Sequence, residues 1–125
     1  MKAYLIDVNE GRHEVVEISE HDQLGQFYKL IGCECIDIAV RRIGGKPFNI
    51  IVDDEGLLVS HPIISAVDGR MRGMLAGNLV IMGMDSDWGE LTGITDEDAE
   101  LIAHNLVLAI DYDREVVYPA VVMEY

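Results

Sequence analysis

The sequence predicts an α+β fold, a mostly antiparallel sheet with two helices packed on one side. Three observations carry this prediction. Short apolar runs such as Ile36 to Val40, Asn49 to Val52 and Leu79 to Met82 read as strands and are separated by turn chemistry. Two other segments carry the apolar spacing or the start signal of a helix. No repeat or linker interrupts the 125 residues, half of them hydrophobic, so one domain over 1–125 with a substantial core is expected.

The elements follow in order. Lys2 to Asp7 alternates in character, Asn9-Glu10-Gly11-Arg12 supplies a turn, and His13 to Ile18 returns as the second strand of a hairpin. After Ser19 opens a polar stretch, Leu24, Phe27, Tyr28 and Ile31 recur at helical spacing until Gly32 stops the helix. Gly25 inside it is unfavourable and suggests close packing against the sheet. Cys35 to Arg42, the turn Gly44-Gly45-Lys46, and Pro47 to Val52 form a second hairpin, closed by Asp53-Asp54-Glu55-Gly56.

Leu57 to Ala76 fits neither period well and reads as an irregular connector or a functional loop. Gly77 to Gly83 has the apolar run of a central strand. Asp85 to Gly93 is polar loop. Thr95 with Asp98 three places on resembles an N-cap with an acidic capping partner, and Asp96, Glu97 and Asp98 suit the positive end of a helix dipole. That helix is expected to run from about Asp96 to His104 or further, with Ala99, Leu101, Ile102 and Leu106 inward. Val107 to Ile110 is ambiguous between helix and strand. Val116 to Met123 is the terminal strand, held to an edge or bulge by Pro119.

Composition narrows the function classes. Twenty-three acidic residues against nine basic ones leave a net charge of −14. A surface that negative repels free nucleic acid and anionic membranes and attracts surfaces that hold phosphates. No apolar run is long enough for a signal peptide or a membrane span, so cytoplasm is the expected location. Cys33 and Cys35 are too close to form an ordinary disulfide and read as structural thiols, and His13, His21, His61 and His104 lack ligand spacing.

Phosphate-binding glycine motifs and a nucleophile elbow are absent. Asp85 and Asp87, followed by Gly89, place two carboxylates on a loop that a calcium or magnesium ion could use, and a metal-assisted hydrolase would follow. Gly89 arrives early for an EF-hand, however, and a solvated acidic loop explains the same residues. Asp53-Asp54-Glu55 and Asp111-Tyr112-Asp113 are further pairs that nothing places together for acid and base work. No metal or cofactor is assigned.

The placement of charge is more informative than the pairs. From Asp85 to Tyr125 there are eleven acidic residues and one basic residue, Arg114. Such a face can imitate the charge of DNA and enter a basic groove, whereas a merely solubilising surface has the same composition. The expected contacts are Asp85, Asp87, Glu90, Asp96, Glu97, Asp98 and Glu100. Arg70 and Arg72 with Asn78 mark an alternative pocket for a nucleotide signal. Pairing of the terminal strand across a two-fold axis makes a homodimer reasonable, with Pro119 against a long continuous edge.

Four segments, in order, resemble a small domain family of unknown function found in phages, plasmids and conjugative elements. They are Met1 to Asp7, Ile31 to Asp37, Val52 to Leu57 and Gly77 to Gly83. The resemblance covers about 1–105 and leaves 106–125 as a C-terminal strand or extension. Such families lend no catalytic residues, and Ile63-Ile64-Ser65 stands where an asparagine is expected. What the resemblance implies is a setting: accessory proteins of mobile elements often inhibit host defence. The expectation is a non-enzymatic inhibitor of a basic, nucleic-acid-handling host protein, of anti-CRISPR or anti-restriction type. It would make no direct contact with nucleic acid or membrane.

Overall fold

The computed structural model of the chain describes residues 1–56, 58, 62–85 and 87–125. It opens with the hairpin β1 (Lys2–Asp7) and β2 (Arg12–Glu17), then α1 (Gln23–Ile31), then the hairpin β3 (Ile36–Ile43) and β4 (Lys46–Asp53). There follow β5 (Ile64–Val67), β6 (Gly73–Ala76), β7 (Leu79–Met84), the short β8 (Leu91–Thr92), α2 (Asp96–His104), β9 (Leu106–Asp111) and β10 (Val116–Val122). Among the described residues no helix is long and apolar enough to cross a membrane.

Local chemistry explains the early elements. Gly44 and Gly45 take φ of 58° and 84°, the left-handed pair that a tight turn between β3 and β4 demands. Asp22 caps α1 by accepting from Gly25 N at 3.2 Å, and Gly32, at φ 79°, closes it by donating to Tyr28 O at 2.8 Å. The crowding at Gly25 comes from its cap and not from the sheet: a Cβ there would stand 2.3 Å from the Asp22 carboxylate.

Strand order in the larger sheet is β2-β1-β7-β4-β3, with β8 attached to β7. Its ladders are antiparallel, and β7 is the central strand, buried from Leu79 to Gly83 as its apolar run implies. A second sheet, β6-β5-β10-β9, is linked to the first by a backbone bridge between Arg42 of β3 and Glu124 just past β10. Its β5 and β10 run parallel, and the other two ladders are antiparallel.

Side chains alternate across the larger sheet and so build two cores. Tyr4, Ile6, Phe48, Ile50, Leu79 and Ile81 join Ala66, Tyr118, Val121 and Met123 of the smaller sheet region. Ala3, Leu5, Ile51, Val80 and Met82 point the other way, onto Phe27 and Ile31 of α1. Ile102 of α2 belongs to the first cluster, with Ala99 and Leu101 packed against it. The expectation of two helices on one side thus gives way to one helix per face. Both helices present apolar stripes, and helical periodicity does not say which face of a sheet receives a stripe.

Two further expectations change. The stretch read as an irregular connector contains the β5–β6 hairpin, whose register shifts twice and hides its period; the part over 57 and 59–61 lies outside the described residues. Asp68 shapes its turn, accepting from both Arg70 N and Arg72 N at 2.9 Å. The terminal strand is not an edge, because β10 lies between β5 and β9. Pro119 is tolerated there because the ladder to β5 covers only Val121 and Val122, beyond the residue that lacks an N–H.

Candidate interaction face

The acidic residues nominated from the sequence gather at one end of the larger sheet. β7 ends there, β8 returns against it through Gly83↔Thr92 and Met84↔Leu91, and the turn between them carries Asp85, Asp87 and Glu90. The chain then crosses the start of β1, where Ile94 N donates to Lys2 O at 2.9 Å, and enters α2 with Asp96, Glu97, Asp98 and Glu100. Asn49 of β4 secures the turn by donating to Gly83 O and Gly89 O, both at 3.2 Å.

Within this end the seven carboxylates are unequal. Asp98 is buried. Its Oδ2 accepts from Thr95 N at 3.0 Å, completing the capping box, and its Oδ1 accepts from Lys46 Nζ at 2.5 Å. Burial opposes its ionisation, yet the Lys46 ammonium and the Thr95 groups outweigh burial and hold its carboxyl below the usual range. Asp98 is thus a structural residue, which removes it from the contact set. Asp96 is exposed and pairs with Lys2 at 3.1 Å, an exposed pair of little energetic weight. Asp85 is half-buried and turns its Oδ1 to Asp87 N at 2.7 Å, so its carboxylate serves the loop. Asp87, Glu90, Glu97 and Glu100 are exposed, and no cation stands within ion-pair distance of them among the described residues.

Trp88 lies in the same turn and is 83% exposed. Aromatic side chains are enriched at binding surfaces. Sequence reading passed over it because a lone tryptophan in a polar loop has no periodic signal.

The other pairs of acids turn out to be turn-makers. Asp53 Oδ1 accepts from Glu55 N at 2.9 Å, and Asp111 Oδ1 accepts from Asp113 N at 3.1 Å and Arg114 N at 3.2 Å. Among the described residues no group of three or more His, Cys, Asp or Glu is placed to hold a metal ion. Cys33 and Cys35 are free thiols; Cys33 donates to Cys35 O at 3.3 Å, and burial followed by the charge of Asp53 pushes its thiol up.

Two residues of the alternative pocket, Asn78 and Arg72, are engaged within the protein. Asn78 is buried with both ends of its amide in use, Oδ1 accepting from Val8 N and Nδ2 donating to Leu30 O, each at 3.0 Å. Arg72 Nε donates to Asp68 Oδ2 at 2.8 Å on the β5–β6 turn, where Arg70 is exposed. Two clefts have other linings. One of about 670 Å³ is bounded by Pro62, Tyr112, Arg114 and Tyr118, and one of about 280 Å³ by Arg41, Asp53, Asp54 and Leu75.

A family model described as a domain of unknown function (DUF3846) matches residues 1–107. The chain belongs to the DUF3846 family. No curated protein and no solved structure matches it. The match agrees with the segments Met1 to Asp7, Ile31 to Asp37, Val52 to Leu57 and Gly77 to Gly83 noted in the sequence, and it contains all seven carboxylates at the acidic end. In this DUF3846 member the matched region stops inside β9, so β10 lies beyond it.

Proposed function

We propose that this DUF3846 protein acts without catalysis, binding a basic, nucleic-acid-handling protein through the acidic end of its larger sheet. The observation that supports this reading is the set Asp87, Glu90, Glu97 and Glu100, exposed and with no cation in ion-pair distance among the described residues, together with the exposed Trp88 of the same turn as Asp87 and Glu90. Carboxylates already paired inside a protein contribute little to a partner, whereas unpaired ones accelerate encounter with a positive groove and fix its register. A groove built for phosphates offers the complementary charge, and occupying it would keep nucleic acid out. Membership in a family resembling accessory domains of mobile elements suits inhibition of a host nuclease or restriction complex.

The test uses tagged protein with lysate of a bacterium carrying CRISPR and restriction systems, at low salt. A recovered nuclease complex should be displaced by duplex DNA. It should also escape the variant carrying Asp87→Lys, Glu90→Lys, Glu97→Lys and Glu100→Lys, in which far-UV circular dichroism confirms the fold. Raising salt from about 50 to 200 mM should weaken the complex by orders of magnitude. Equal capture by wild type and the four-lysine variant would rule the acidic end out.

A further inference from the structure

β3 and β6 are edge strands of different sheets, and both line a cleft of about 280 Å³. β3 contributes Asp37, Ala39 and Arg41, alternate residues on one face of the strand, and β6 contributes Leu75 and Ala76. Strand register sorts the charges along it. Asp37 pairs with Val52 and Ile36 with Asp53, so Asp37, Asp53 and Asp54 gather at one end. Arg41 stands four residues along β3, roughly 13 Å from Asp37 in backbone. Ala39 lies between them, and Val52, Leu75 and Ala76 complete an apolar lining.

Neither end is neutralised from within. Among the described residues no carboxylate stands within ion-pair distance of Arg41, and no cation stands within that distance of Asp37, Asp53 or Asp54. Arg41 is half-buried in a chain with 23 acidic residues, yet none of them meets it. Its Nη1 donates to Val40 O at 2.8 Å, the ring of Tyr125 lies over the guanidinium at 4.6 Å, and its Nε is buried without an acceptor. A shielded guanidinium with donors to spare favours an acceptor from outside, and a carboxylate is the group its planar donors fit best.

We propose that this cleft binds a zwitterion whose ammonium and carboxylate are joined by an apolar spacer. The carboxylate pairs with Arg41, the ammonium takes its three acceptors among Asp37, Asp53 and Asp54, and the methylenes between them cover Ala39 and Leu75. A ligand with only negative charge would meet three carboxylates, and one with only positive charge would meet Arg41. Opposite charges at the two ends of one ligand satisfy both. A free ω-amino acid has this chemistry, and so has a lysine at the C-terminus of a peptide, through its ε-ammonium and α-carboxylate. The site uses none of the residues proposed to meet a protein partner, so it stands or falls separately.

Isothermal titration calorimetry of the full chain tests this with two probes, 6-aminohexanoate and Nα-acetyl-lysine. Hexanoate, hexylamine and Nα-acetyl-lysine amide are the controls, each lacking one of the two charges. Both probes should bind, and every control should bind at least about tenfold more weakly. Arg41→Met, which keeps a side chain beneath Tyr125, should weaken the probes by about the same factor, as should the double variant Asp37→Asn, Asp54→Asn, with circular dichroism unchanged. Amide shift changes in proton–nitrogen correlation spectra of wild type should centre on 37–41, 52–54 and 75–76, a readout that needs no variant. Tighter binding of Nα-acetyl-lysine would support the site with a peptide C-terminus as its source, and tighter binding of 6-aminohexanoate would support it with a free amino acid. No binding of either probe at about 10 mM, controls or folded variants that bind as well, or shift changes centred elsewhere would overturn the proposal.

Discussion

Lys46 Nζ meets Asp98 Oδ1 at 2.5 Å and so ties the first residue of β4 to the capping residue of α2. The helix is held to the sheet by a carboxylate that also closes its own N-terminus. Its low carboxyl pKa makes this contribution dependent on pH. A group depressed on folding stabilises the protein fully above its unfolded value, about 3.9 for Asp, and that stabilisation disappears as pH falls through the lower folded value. Asp98→Asn should therefore lower Tm relative to wild type at pH 7, with the gap closing below about pH 4. A gap equal at both ends of the range would mean that the charge contributes nothing. Asp98→Ala, which also loses the cap, should cost about 1–3 kcal/mol in chemical denaturation at neutral pH.

Asn78 links three parts of the chain, since it stands just before β7 and serves both Val8 N and Leu30 O. Asn78→Ala would leave two backbone groups without partners and should cost about 2–4 kcal/mol in urea unfolding. Asn78→Asp keeps the acceptor for Val8 N but loses the donor to Leu30 O and buries a charge, so it should also be destabilised, most strongly at neutral pH. Wild-type stability in both variants would show that water replaces the amide. A structural role of this kind also accounts for Gly77-Asn78 within the family-like segments without any ligand.

Trp88 reports the potential at the acidic end. Its neighbours Asp87 and Glu90 should concentrate cations, so caesium should quench its emission more effectively than iodide, compared with free tryptophan. Charge reversal through Asp87→Lys and Glu90→Lys should invert that preference, and added salt should reduce it. If the two quenchers act alike at low salt, the local potential is not negative enough to steer a partner.

Much of the fold was legible because local rules and tertiary structure agree. The Gly44-Gly45 turn, the Gly32 stop and the Thr95 and Asp98 capping box each have a residue-level cause and stand where the sequence places them. What was illegible depends on partners distant in sequence. Ser65 interrupts the β5–β6 register, so no clean alternation survives over that hairpin. Pro119 argues for an edge, yet β10 has two neighbours because β5 joins only its far end. Asp98 was nominated as a contact by the same acidity that serves Lys46. The sequence counts carboxylates but not the cations folded against them.

The family match ends at residue 107, although the fold does not. β10 supplies Tyr118, Ala120 and Val121 to the buried interior, followed by Met123, and it separates β5 from β9. Removing residues 108–125 would uncover Tyr4, Ile6 and Ile81 on the larger sheet's inner face and leave β5–β6 as an isolated hairpin, a unit with marginal stability in water. A small domain has only about 5–15 kcal/mol in total, and loss of several buried side chains at a few kcal/mol each exceeds it. The truncated chain should therefore lose its cooperative thermal transition and expose apolar surface to a hydrophobic dye. A sharp transition in the truncated protein would show instead that residues 1–107 form a self-sufficient core in this DUF3846 member, with β9 and β10 an appended surface.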